Sequence, residues 1–226
     1  MRSRLRGPLG PVLAALLTST LGQLPMAPPA GAQGATGPAA LVVLDVSGSM
    51  AAPGQGGAAL IEQARTAVSS TVAALPAGSQ VGLRVYGSTV GSEESNKAAG
   101  CQDSRLLVPV GPVNPAAINA ALGSVQPSGW TPIGLALQQG AKDLPSTGPR
   151  TIVLVSDGLD TCAPPDPCEV ARQLSADGVP VTVEAIGFNL PAGDPATRLA
   201  ASCSASPAPP AASTATPPTP ASSPRP

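Results

Sequence analysis

The strongest constraint on this chain's fold is the alternation of short, almost continuously apolar runs with segments of helical periodicity. "ALVVLD" (Ala40 to Asp45), "QVGLRVY" (Gln80 to Tyr86), "RTIVLVSDG" (Arg150 to Gly158) and "VPVTVEAIGF" (Val179 to Phe188) are apolar along their length rather than at every second position. Strands of that kind are buried on both faces, which is the signature of parallel strands covered by helices above and below. Between the first two runs, Ile61, Ala64, Val68, Val72 and Leu75 recur at three- and four-residue spacing with Pro76 just beyond. This pattern predicts a helix over Ala58 to Leu75. Asn114-Pro115 supplies a capping side chain followed by a residue suited to the first helical position, opening a helix to about Leu122. Further helices are expected from Pro132 to Leu144 and from Pro167 to Asp177. "SRLLVPV" (Ser104 to Val110) is expected at a sheet edge, because Pro109 has no N–H to donate inside one. The polar stretch Ser88 to Gly100 reads as a loop. The predicted fold class is α/β, an open, doubly wound, mostly parallel sheet flanked by helices.

The two ends read differently. Arg2, Arg4 and Arg6 precede an apolar stretch from Gly7 to Leu21, and "AGA" at Ala30 to Ala32 offers a small-residue cleavage site. Residues 1–32 are therefore expected to be an export signal, with an uncleaved N-terminal anchor as the alternative, which places the mature chain outside the cytoplasm, secreted or in the cell envelope. No later stretch is long enough to span a bilayer. Residues 202–226 are almost entirely Ser, Ala, Thr and Pro, a composition expected to remain an extended, unfolded tail. The folded domain is then expected over residues 40–201.

Export sets the reading of Cys101, Cys162, Cys168 and Cys203: an even set in an oxidising compartment implies disulfides. Three pairings are open. The short, stiff "APPDP" between Cys162 and Cys168 favours a local bridge, leaving Cys101 to pair with Cys203. No C-x-x-C spacing supports a zinc site. Histidine is absent, which excludes imidazole bases and histidine metal ligands. Without the three N-terminal arginines the chain carries nine basic against thirteen acidic residues and no basic cluster, so no nucleic-acid partner is expected.

The chemistry collects where strands end. Asp45 closes the first run and is followed by Ser47 and Ser49; "SDG", with Asp157, closes a second; "WTP", Trp130 to Pro132, enters the helix before it. In open α/β sheets ligands bind beyond the carboxyl ends of the strands. Neighbouring strands would there gather two carboxylates and three hydroxyls, an all-oxygen set suited to a hard cation such as Mg²⁺, with Mn²⁺ or Ca²⁺ as substitutes. Read singly, each residue has an ordinary explanation: Asp45 as a turn cap, the serines as turn residues, Asp157 as a turn acid, Thr131 as a helix cap. Glu93 and Glu94 read as a solvated loop, and Asp160 and Asp166 as solvating the cysteine loop.

Taken together, D-V-S-G-S at 45 to 49, Thr131 and Asp157 resemble the metal-ion-dependent adhesion site of von Willebrand factor A domains. The resemblance extends over about Ala40 to Leu190 and is nearest the exported bacterial branch, in "SDGLDTC" and "PPDPC". It implies that Ser47, Ser49 and Thr131 bind the ion, that Asp45 and Asp157 hold waters and the serine hydroxyls, and that a partner protein's carboxylate completes the coordination. Trp130 would lie beside the ion, packing or touching the ligand. The implied function is an adhesion or interaction module rather than an enzyme. A structural or sensor component of an envelope assembly with a vestigial site is the alternative. A Mg²⁺-dependent phosphohydrolase with Asp45 as nucleophile usually needs a second acid two residues on, where this chain has Ser47. Such domains usually continue past the strand ending near Phe188 through a helix and a final strand. Here "DPATRLAASC" opens the helix and then gives way to the tail, so the sheet is expected to be one strand short.

Overall fold

The computed structural model describes residues 38–176 and 181–187. Five strands form one sheet: β1 (Ala39–Asp45), β2 (Gln80–Tyr86), β3 (Ser104–Pro112), β4 (Arg150–Ser156) and β5 (Val181–Gly187), in the order β3-β2-β1-β4-β5. All neighbours are parallel except β3, which runs antiparallel to β2 at the edge. Pro109 is accommodated there as its sequence requires: register shifts between Val81 and Leu83 open the ladder opposite it. The helices are α1 (Leu60–Ala73), α2 (Lys97–Gly100), α3 (Pro115–Gly123), α4 (Ile133–Asp143) and α5 (Pro167–Ala176). The expected loop from Ser88 to Gly100 thus holds the short α2, preceded by a 3-10 turn over Glu94–Asn96.

β1 is the centre of the sheet, and its alternate side chains feed two cores. Val42 and Leu44 pack with Leu83 and Val85 of β2 beneath Ile61, Ala64 and Val68 of α1 and Ile118 of α3. Leu41 and Val43 pack with Ile152 and Leu154 of β4 beneath Ile133 and Leu137 of α4 and Val170 of α5. Each such fully buried side chain contributes about 1.5–3 kcal/mol of transfer free energy, which explains the continuous apolar run. α3 starts as expected, with the Asn114 side chain accepting from Ala117 N–H at 3.1 Å. One buried ion pair crosses the α4 side: Arg84 Nε lies 2.6 Å from Asp143, and its Nη1 donates to Ser104 and Gln139.

On the α1 side of β4 and β5, Val153, Val155 and the half-exposed Ile186 line an apolar groove with Val68, Val72 and Leu75 of α1. The expected export signal, the helix beyond Phe188, the missing final strand and the tail lie outside the described residues. Among those described, no helix is long and apolar enough to cross a membrane.

The disulfide pairing expected from the sequence is corrected. Cys101 bonds Cys162, 61 residues away, so neither Cys162–Cys168 nor Cys101–Cys203 forms. Cys168 is also disulfide-bonded. The physical reason is topological. Cys101 follows α2 in the β2–β3 connection and Cys162 lies in the β4–α5 connection, two loops that emerge at the same end of the sheet. Cys168 instead lies within α5 and packs against the core beneath that helix.

Candidate functional site

β1, β2 and β4 end together, and their loops enclose Asp45. Its carboxylate is fully buried and split between two donors: Oδ1 accepts from the Ser47 N–H at 2.8 Å and Oδ2 from the Ser156 hydroxyl at 2.6 Å. The first bond closes a tight Asp turn that throws the chain out of the sheet. Ser47 then heads a 3-10 turn over Gly48–Ala51 without capping it through its side chain. Its hydroxyl lies 3.1 Å from that of Ser49, which donates to Asp157 Oδ1 at 2.9 Å. Asp45, Ser47, Ser49 and Asp157 are thus one hydrogen-bonded chain, from a buried acid to an exposed serine and a half-buried acid.

Thr131 is held by a different set of contacts. Ser47 pairs with Gly129 in an isolated parallel bridge, Gly48 N–H donates to Gly129 C=O, and Gly129 N–H donates to Gly87 C=O. The loop carrying Thr131 is thereby strapped beneath the serines. On its other side, Thr131 N–H donates to the Thr161 hydroxyl at 3.1 Å, and Thr161 N–H donates to Thr131 C=O at 3.2 Å. Thr131 is buried but is not the helix cap: α4 starts with no side-chain cap of its own. Asp160 supplies one from across the site, accepting from Gly134 N–H at 2.8 Å and Cys162 N–H at 2.6 Å. Its expected role of solvating the cysteine loop is therefore corrected to a cap in trans. Asp166 likewise accepts from Glu169 N–H at the start of α5.

Gly87, just past β2, has φ +68, and a Cβ there would lie 2.5 Å from Trp130 C=O and 2.9 Å from Ser47 Cα. Only glycine permits both that backbone and that approach. Trp130 packs its ring edge where Gly100 lacks a side chain, with Lys97 Nζ 4.7 Å from the ring centroid. Its packing role is clear, and its buried indole N–H has no acceptor.

The electrostatics are one-sided. Burial raises the pKa of Asp45, partly offset by the bonds from Ser156 and Ser47 and reinforced by the charge of Asp157. Burial likewise raises Asp157, against the bond from Ser49. No lysine or arginine pairs with either acid among the described residues, where the ion pairs are Arg65–Glu62, Arg84–Asp143, Lys97–Glu94 and Arg172–Glu169. Nor do three or more His, Cys, Asp or Glu side chains cluster among those residues. Alcohols and two acids lacking a cation fit a hard divalent ion, which takes oxygen ligands and retains waters. Gly87 carries no motif signal of its own, and Ser156, though it opens the S-D-G motif, is not marked by it as a site residue; its hint is its place in line with Asp45 at a neighbouring strand end.

Known proteins agree with this architecture. The chain is 32% identical over 155 residues to YwmC of Bacillus subtilis, the match covering 67% of this chain and 66% of that protein. The fold is similar to that of BatB from Bacteroides thetaiotaomicron at TM-score 0.51 and 22% identity, covering 66% of this chain and 65% of that one. It is also similar to the SpRpn10 VWA domain, at TM-score 0.52 and 13% identity over 74% and 82%. With a family profile described as the von Willebrand factor type A domain matching residues 40–159, this chain belongs to that family.

Proposed function

We propose that this protein is an exported binding module that uses a divalent cation, most suitably Mg²⁺, to capture a carboxylate on a partner protein. The observation that carries this reading is the convergence of two acids and hydroxyl donors with no cationic side chain to balance them among the described residues. Ser47, Ser49 and Thr131 would hold the ion through neutral oxygens, while Asp45 and Asp157 orient the serines and accept from bound water. With neutral donors inside, the ion's charge would remain poorly compensated and attractive to an incoming carboxylate. Each of this chain's parts serves that end. Asp45 fixes the Ser47 backbone, Asp157 holds the exposed Ser49, and the Thr161 and Asp160 contacts fix the Thr131 loop. The reading is one of binding rather than turnover, because the chain offers Ser47 where phosphoryl transfer from Asp45 would need a second acid. Trp130 and Lys97 would form part of the rim. The basic N-terminus followed by an apolar stretch, and the disulfide, support an extracytoplasmic location.

Capture of partners from a native envelope fraction, in Mg²⁺ and in EDTA, tests this directly. Partners are expected to be retained in Mg²⁺, released by EDTA, and lost in a Ser49→Ala variant. Equal retention under both conditions contradicts the reading.

A further inference from the structure

Tyr86 is the only tyrosine in the chain and is fully buried. It ends β2 as the register partner of Asp45, and Ser156 ends β4 on the opposite side of β1. Tyr86, Asp45 and Ser156 therefore form a row across three adjacent strand ends, on the side of the sheet that α4 covers. A hydroxyl in that position should be paired, because buried polar groups without partners are rare and unfavourable. Among the described residues Tyr86 Oη makes no hydrogen bond of good geometry, although Asp45 and Ser156 lie within interaction range of it. Asp45 has the matching surplus. A carboxylate accepts at about four lone-pair positions, and among the described residues the Ser47 N–H and the Ser156 hydroxyl are the donors that reach it with good geometry.

We propose that Tyr86 is a positioning residue for the cation site. In the ion-bound state its hydroxyl donates to the Asp45 carboxylate, directly or through one trapped water, and so fixes the acid that orients Ser47. Tyr86 touches neither ion nor partner and acts only through Asp45. The proposal rests on the metal reading of the site. It also explains why the chain keeps a hydroxyl that finds no well-aligned partner among the described residues of the metal-free fold, where phenylalanine would fill the same space.

The test is Tyr86→Phe in the full chain, with Mg²⁺ as the probe. Losing a hydrogen bond to a charged group should weaken Mg²⁺ binding about tenfold by calorimetry. In EDTA the melting temperature should be equal to wild type or higher, because the variant removes an unpaired buried hydroxyl. Mg²⁺ should also produce an ultraviolet difference band near the tyrosine absorption edge in wild type, saturating with the calorimetric affinity and absent from Tyr86→Phe. Unchanged Mg²⁺ affinity in Tyr86→Phe overturns the proposal. So does weaker binding accompanied by a lower melting temperature in EDTA, which would mark a merely structural role. Absence of Mg²⁺ binding by wild type would instead remove the metal reading itself, a distinct result.

Discussion

Gly87→Ala probes the packing that supports Ser47, and Gly78→Ala is its built-in control. Both glycines have positive φ, +68 and +93, so alanine at either pays the left-handed backbone term of about 1–2 kcal/mol, partly offset by a stiffer unfolded chain. A Cβ at Gly78 meets nothing within 4 Å, whereas at Gly87 it lies 2.5 Å from Trp130 C=O, 2.9 Å from Ser47 Cα and 3.0 Å from Ser47 N. All three are backbone atoms and cannot rotate away, so overpacking adds about 1–3 kcal/mol. Gly78→Ala should therefore cost about 1 kcal/mol and Gly87→Ala about 2–4 kcal/mol in total. In thermal melts that corresponds to roughly 2–4 °C per kcal/mol for a domain of this size. The functional consequence differs more sharply. Relief of the Gly87 clash must move Ser47, whose N–H is bonded to Asp45, so Mg²⁺ binding should fall at least about tenfold, while Gly78→Ala leaves it unchanged. Equal destabilisation by the two variants, or wild-type Mg²⁺ affinity in Gly87→Ala, would refute the steric argument.

The acids of the site give a pH signature. Asp45 and Asp157 titrate above the ordinary carboxylate value of 3.8, chiefly through burial. These two acids therefore hold more protons in the metal-free fold than in the unfolded chain, and their contribution to stability is greatest below that value and is lost as pH rises through the folded pKa values. The stability of wild type minus that of Asp45→Asn, from melts in EDTA, should show this decline, and saturating Mg²⁺ should counter it at neutral pH; a difference that rises with pH in EDTA contradicts the assignment. Asp143→Ala leaves buried Arg84 without its carboxylate and should cost about 3–5 kcal/mol in denaturant unfolding. Replacing Cys101 and Cys162 together by serine opens a closure of 61 residues, with an entropic loss of up to about 4 kcal/mol. Asp160→Ala removes the cap of α4 and should cost about 0.5–2 kcal/mol in the same assay.

Much of this architecture is written in local patterns. Apolar runs buried on both sides place β1, β2, β4 and β5 within a residue or two, because a parallel sheet leaves them no polar face. Pro109 puts β3 at the edge through a single missing N–H. The chain of contacts from Asp45 to Asp157 follows from strand-end placement, and the two outer members, Ser49 and Asp157, do hydrogen-bond across 108 residues. The disulfide was not legible: spacing favours a local bridge, but pairing is decided by which loops emerge together, and that depends on strand order. Asp160 was not legible for the same reason, since its N–H donors at Gly134 and Cys162 lie on two different segments. Thr131 precedes a proline where a cap is common, yet the cap comes from Asp160, which leaves the Thr131 hydroxyl free of that duty. Tyr86 looks like any aromatic strand residue until its hydroxyl is seen without a partner beside Asp45.

The most direct test of the central claim is calorimetric titration of Mg²⁺ into the metal-stripped protein and into its Ser47→Ala variant, at one pH and ionic strength. Wild type should bind one ion per chain with saturable heat, and Ser47→Ala should show little or none while melting within a few degrees of wild type in EDTA. No saturable heat in wild type, or equal heat in the two proteins, would contradict the assignment of this cluster as a cation site.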